Sequence, residues 1–174
     1  QAADNSMRVL QNTDALIIDL RNNPGGFEDI VAYLMSYFLE GPDRELQAYY
    51  CRYLNTRRAV SVTARLPAKK RPDLPVYILI NEHTGSAAES FAYMMKHLGR
   101  ATLLGETTAG AGNGASIFRI SNQFAVQVAT VETINAVTKQ SWEKVGVIPD
   151  IPLKPVLVDS KVDALAKEAA QKYR

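Results

Sequence analysis

The residue best placed to do chemistry is Ser86, in His83-Thr84-Gly85-Ser86-Ala87-Ala88-Glu89. A serine at a helix start lies beside free backbone N–H groups and the positive end of the helix dipole. Those groups can stabilise an alkoxide or a tetrahedral oxyanion. The small neighbours Gly85, Ala87 and Ala88 leave room for a substrate backbone. The same spacing also fits a capping box, with Ser86 as N-cap and Glu89 reaching back to its amide. A second segment, Asn23-Pro24-Gly25-Gly26, is a glycine turn whose N–H groups can face a ligand without a side chain in the way. An oxyanion hole needs two donors. The Ala87 amide and that of Gly25 or Gly26 supply them if the two turns are neighbours.

Other candidates are weaker. Gly105 to Gly112 lacks the lysine of a phosphate-binding loop and reads as a connection. Trp142-Glu143 precedes Gly146-Val147-Ile148-Pro149-Asp150, where Trp142 reads as core or a lid aromatic and Glu143 as a surface acid, either of which can simply shape the end of a strand. Of the two histidines, His83 lies in the turn before Ser86. His97 lies about 16 Å further along a helix, too far to reach it. Two histidines, one cysteine and no HExxH exclude a His-rich or cysteine-based metal cage, so neither a metal nor a cofactor is expected. Cys51 has no intramolecular partner and sits in an apolar stretch, as a buried structural thiol would. Lys69-Lys70-Arg71, between Pro67 and Pro72, reads as a solvated loop.

The elements that must hold these residues follow from periodicity. Asp14–Leu20 is a short apolar strand feeding the glycine turn, and Phe27–Leu39 a helix stopped by Gly41-Pro42. Val76–Ile80 is a second apolar strand, with Ser86–Leu98 the helix after it. Ala101–Leu104 is a third short strand. Residues 45–53 and 59–66 read as a hairpin, and 117–120 with 124–131 as an antiparallel pair about Asn122. Gly146–Pro155 is extended, and Val162–Tyr173 is a final helix. Strand–turn–helix units therefore recur at residues 15–39 and 76–98. This pattern predicts an α/β layered domain over residues 1–174, with both candidate turns at the carboxyl ends of strands.

Composition narrows the partners. With 20 basic and 18 acidic residues the formal net charge is +2, which gives no reason to expect nucleic acid or an acidic membrane. No apolar run approaches the roughly 18 residues that span a bilayer. The chain starts at Gln1 with no recognisable signal peptide, and is expected to be a C-terminal fragment of a longer protein.

Four segments, in order, resemble the tail-specific (C-terminal processing) protease family, which includes the tricorn core and interphotoreceptor retinoid-binding protein. They are Leu16-Ile17-Ile18-Asp19-Leu20-Arg21-Asn22-Asn23-Pro24-Gly25-Gly26, Thr84-Gly85-Ser86-Ala87-Ala88-Glu89, Gly105-Glu106-Thr107-Thr108-Ala109-Gly110 and Gly146-Val147-Ile148-Pro149-Asp150. The resemblance implies a crotonase-like superfold, Ser86 as nucleophile, and an oxyanion hole from Ala87 and Gly25 or Gly26. It also implies peptides or unfolded protein C-termini as substrates, in an extracytoplasmic compartment. The processing branch carries an activating lysine twenty-five positions after the serine; here that residue is Ala111. A hydroxyl without a base is a poor nucleophile at neutral pH. The chain is thus more similar to the tricorn and retinoid-binding-protein branch. There a glutamate, matched here by Glu143, assists together with a histidine and second serine from earlier in the chain.

Two other functions use the same fold. One is an inactive binder of a hydrophobic ligand such as a retinoid or fatty acid. The other is an acyl-CoA enzyme, whose CoA-contact features are not recognisable here.

Overall fold

The computed structural model describes residues 2–41, 43–63 and 66–173. The elements are α1 (Ala2–Val9), β1 (Leu16–Asp19), α2 (Glu28–Met35), β2 (Glu45–Cys51), β3 (Thr56–Ser61) and β4 (Val76–Ile80). They continue with α3 (Ser86–His97), β5 (Thr102–Gly105), β6 (Gly114–Arg119), β7 (Ala125–Asn135), β8 (Ile151–Pro152) and α4 (Pro155–Tyr173).

Two four-stranded sheets form. One has the order β1-β4-β5-β8 and is parallel throughout; the other, β3-β2-β7-β6, is antiparallel. Strand alternation divides the parallel sheet into two faces. Leu16, Val76, Ile78, Ile80 and Leu103 pack into the main core with α2, α3, Leu46 and Val60. Leu79 and Leu104 point the other way, onto Val158 and Val162 of α4. Helix α3 is therefore enclosed: Ala87 through Met95 are all buried. This is the layered α/β architecture expected from the recurring strand–turn–helix units.

The differences from expectation have local causes. Helix α2 stops at Met35, not Leu39, because Ser36 donates its hydroxyl to Ala32 O at 2.7 Å and accepts the Thr63 amide at 2.8 Å. A side chain that bonds backbone in this way competes with helix continuation. Pro42, expected to help stop this helix, and residues 64 and 65, near the end of the expected first hairpin, lie outside the described residues. Helix α4 starts seven residues earlier than expected, with Pro155 at a position that needs no N–H. Helix α1 was not anticipated from periodicity. Arg71, expected to be solvated, is buried: its guanidinium donates to Leu10, Gln11 and Thr13 carbonyls, tying the end of the first helical segment. Cys51 is half-buried at the end of β2.

Candidate active site

β1 and β4 are adjacent and parallel, so the turns at their carboxyl ends meet. The turns are zipped together. Asn22 N–H donates to Asn81 Oδ1 at 3.0 Å, and Asn81 Nδ2 returns a bond to Asn22 Oδ1 at 3.0 Å. Buried Thr84 donates its hydroxyl to Leu20 O at 2.8 Å, and Gly85 N–H donates to Asn23 O at 2.9 Å. Gly25 adopts φ +107°, and a Cβ there would lie 2.7 Å from both Gly85 O and Ser86 Cβ. Only glycine fits this contact, which brings the first turn against the serine.

Ser86 is exposed and has φ +50°, in the left-handed region. For a non-glycine residue that conformation costs about 1–2 kcal/mol and persists only where surroundings impose it. Glu89 does reach back to the Ser86 amide, at 2.8 Å, as a capping box requires. The cap residue itself is Gly85, and Ser86 is the first helical residue. Among the described residues the Ser86 hydroxyl has no hydrogen-bond partner, so Oγ stands free on a sharp strand-to-helix turn. Ala87, in the first helical turn, has no intrahelical acceptor for its amide.

The two glycine amides differ. Gly25 N–H already donates to Asn23 Oδ1 at 2.9 Å, while the Gly26 amide has no partner among the described residues. An Asn two residues before a glycine turn is a recognisable Asx-turn signal. It would have separated the two glycines from sequence.

The third loop, after β5, joins the same site. Ala109 N–H donates to Thr84 O at 3.0 Å. Fully buried Glu89 holds the loop: Oε1 accepts Thr108 Oγ1 at 2.5 Å and Gly110 N at 2.7 Å, and Oε2 accepts Ala111 N at 2.9 Å. With the Ser86 amide this makes four donors on one carboxylate, so desolvation of the charge is offset by charge-assisted bonds. Sequence spacing shows only the capping partner; the other three come from a loop about twenty residues on, through the adjacency of β4 and β5.

Glu143 is half-buried, next to fully buried Trp142, which lies on Tyr93 with ring centroids 5.2 Å apart. Its Oε2 accepts Gly112 N at 2.9 Å and Asn113 N at 2.8 Å. A Cβ on Gly112 would lie 2.7 Å from Glu143 N, so the approach requires glycine. One loop thus binds Glu89 through residues 110–111 and Glu143 through residues 112–113. No hydrogen bond joins Glu143 to Ser86 among the described residues. Ala111 is exposed. Its amide and that of Ser86 share Glu89 Oε2, which keeps them within about 6 Å of each other.

Neither histidine reaches Ser86 in a described contact. His83 is exposed and lies 3.6 Å from Glu82. His97, at the far end of α3, stacks on Tyr93 at 4.3 Å, and burial together with nearby Lys96 pushes its pKa down. Among the described residues no group of three His, Cys, Asp or Glu side chains could hold a metal ion.

Beside Ser86 opens an apolar cavity of about 370 Å³, whose walls include Gly25, Gly26, Phe27, Ile30, Ala87 and Phe91. Phe27 is 87% exposed, so it forms an outer rim and not part of the core.

The layered fold and the three loops at one sheet edge place the chain among crotonase-like α/β proteins. A sequence model of peptidase family S41 matches residues 1–153, and the chain belongs to that family. It is 31% identical over 150 residues to a carboxyl-terminal-processing protease of Picosynechococcus sp., covering 84% of this chain and 34% of that protein. It is 32% identical over 144 residues to the chloroplastic carboxyl-terminal-processing peptidase 2 of Arabidopsis thaliana, covering 82% of this chain and 26% of that protein. The chain spans about a third or less of the length of the curated relatives it matches. Among solved structures, the photosystem II D1 C-terminal processing protease superposes with TM-score 0.71 at 22% identity, over 97% of this chain and 42% of that one. Mature CPAF complexed with lactacystin superposes with TM-score 0.80 at 19% identity, over 99% and 47%. At these identities the superpositions speak for the fold alone. No described helix is long and apolar enough to cross a membrane.

Proposed function

We propose that the chain works as one serine-type peptidase domain that cleaves peptide bonds through Ser86. The observation that carries this reading is the free, exposed Ser86 hydroxyl at φ +50°, held against a glycine turn at the start of α3. Ser86 Oγ attacks the scissile carbonyl carbon and its proton passes to a general base. The tetrahedral oxyanion accepts the Ala87 N–H and a glycine-turn N–H. Gly26 is the better second donor, because the Gly25 amide is engaged by Asn23. Collapse expels the amine, which takes the proton held by the base, and leaves an acyl-serine; water, giving a proton to the base, attacks that ester, and the acid departs as Ser86 Oγ regains its proton.

Ala111 supplies no base, and neither histidine substitutes. Glu143 fits the role of an acid that orients a base, since one carboxylate oxygen is fixed by two amides and the other is left for a partner. Substrates are peptides or unfolded protein C-termini, in keeping with the carboxyl-terminal-processing relatives; an apolar side chain next to the cleaved bond enters the adjoining cavity. No cofactor takes part. An extracytoplasmic site of action rests on the resemblance to the processing proteases.

The test is labelling with a fluorophosphonate serine probe and cleavage of a peptide library, for the parent and Ser86→Ala. Labelling and cleavage by the parent that vanish in Ser86→Ala are expected. Either activity surviving in the alanine variant removes Ser86 from the mechanism. An unlabelled parent that binds retinoid or fatty acid saturably replaces this reading with that of an inactive ligand carrier.

A further inference from the structure

β7 is longer than its partner β2. Residues Glu132–Asn135 pair with β2, while Ala125–Val131 pair only with β6. The β6–β7 ribbon therefore runs about 20 Å beyond the sheet as a two-stranded arm. Every residue of β6 is exposed. An isolated two-stranded hairpin is at best marginally stable in water.

The larger apolar side chains of the arm gather on one face, while Ile117, 74% exposed, lies on the other with Arg119 and Gln127. The register sets Ser116 opposite Val128 and Phe118 opposite Val126, and the Ile120 N–H to Phe124 O bond continues it to the tip. Directly opposed residues share a face. Phe118, Ile120, Phe124, Val126 and Val128 are 40–71% exposed and form one contiguous patch. Residues 114–131 contain a single charge, Arg119, which the register puts on the other face, opposite Ala125.

We propose that this face is covered by the same face of a second copy of the chain, arm packed on arm about a two-fold axis. The patch exposes on the order of 500 Å² per copy, near the upper limit tolerated on a monomer. Two such faces bury roughly 1,000 Å² together, the lower bound for a specific interface. Because Arg119 points away, no like charges meet when the faces pair. A peptide or a membrane would find no cation on this face to recognise a carboxylate or an anionic lipid. The proposal does not depend on Ser86 being a nucleophile.

Sedimentation velocity of the chain between about 1 and 100 µM tests it. A concentration-dependent monomer–dimer equilibrium is expected, with the double variant Phe118→Ser/Phe124→Ser weakening the dimer at least a hundredfold. A parent that stays monomeric overturns the proposal, as does a dimer of unchanged affinity in a variant whose circular dichroism is native. Hydrogen exchange on the unaltered chain gives a second readout. Amides at 115–119 and 125–129 gain protection as protein concentration rises. Protection that appears only on adding peptide assigns the face to substrate and overturns the proposal.

Discussion

The turns around Ser86 and the β6–β7 arm are linked by the loop after β5, which Glu89 holds and which runs into β6 at Gly114, yet they are built in opposite ways. Around Ser86 the backbone is bent into unfavourable conformations, and hydrogen bonds hold the bends: buried Glu89 and exposed Asn23 accept backbone amides, buried Thr84 donates its hydroxyl to Leu20 O, and Gly25 lets two turns touch. In the arm the backbone is regular from Ala115 onward, past one register shift at Gly114/Ala115, and the side chains of β6 are exposed. Strain that is over-determined by its surroundings marks a place where geometry matters. Regular structure with an uncovered apolar face marks a place where contact matters. The two regions therefore call for different perturbations.

The largest effect is expected at Glu89. Glu89→Ala leaves four donors without an acceptor in a buried site, which costs about 3–5 kcal/mol. Urea unfolding should show the loss directly. A midpoint within experimental error of the parent would mean that the loop after β5 is held by something else. Gly25→Ala comes next. The added methyl meets backbone at 2.7 Å in a left-handed conformation, so a loss of about 2–4 kcal/mol is expected. If the variant still folds, the peptidase activity proposed for the chain should fall at least a hundredfold, because the second donor moves. By contrast Phe124→Ser on the arm should change the unfolding free energy of the dilute chain by less than about 0.5 kcal/mol. A large destabilisation there would show that the arm is part of the core, and the contrast between the regions would collapse.

Much of this contrast was legible in the sequence. The two strand–glycine–helix units and the helix start at Ser86 follow from short apolar runs ending in Gly-rich turns, whereas the adjacency of the turns was only a condition until the β1–β4 pairing met it. The antiparallel pairing of residues 117–120 with 124–131 is also readable, because alternation survives in Phe118, Ile120, Phe124, Val126 and Val128. Two things were not readable. The role of Glu89 beyond its capping bond depends on which loop β5 delivers, and no local pattern encodes that. Arg71 looks like part of a basic loop, and only the folded path of residues 10–13 turns it into a buried donor. Ala111 shows the opposite case: its identity is plain in sequence, but its nearness to the Ser86 amide comes from a shared carboxylate oxygen.

A small, pH-dependent effect belongs to a solvent-exposed tie at the edge of the same turns. Arg21 lies 2.7 Å from Asp19 and 3.0 Å from Asp159 of α4, joining the end of β1 to the outer helix. The bonds from Arg21, against a partial cost of burial, hold the Asp19 carboxyl below its ordinary range. A carboxyl lowered by folding stabilises the native state above its unfolded pKa of about 4, and that contribution disappears as pH falls through the lower native value. Asp19 is 49% exposed, so solvent screening limits the pair to less than about 1 kcal/mol. Asp19→Asn should therefore lower the thermal midpoint slightly at pH 6 and 7, and the gap from the parent should narrow below pH 4. A gap as large as that of Glu89→Ala, or one that widens in acid, would mean that this exposed pair supports the strand end as the buried carboxylate does. Then burial would not be what separates strong ties from weak ones at this site.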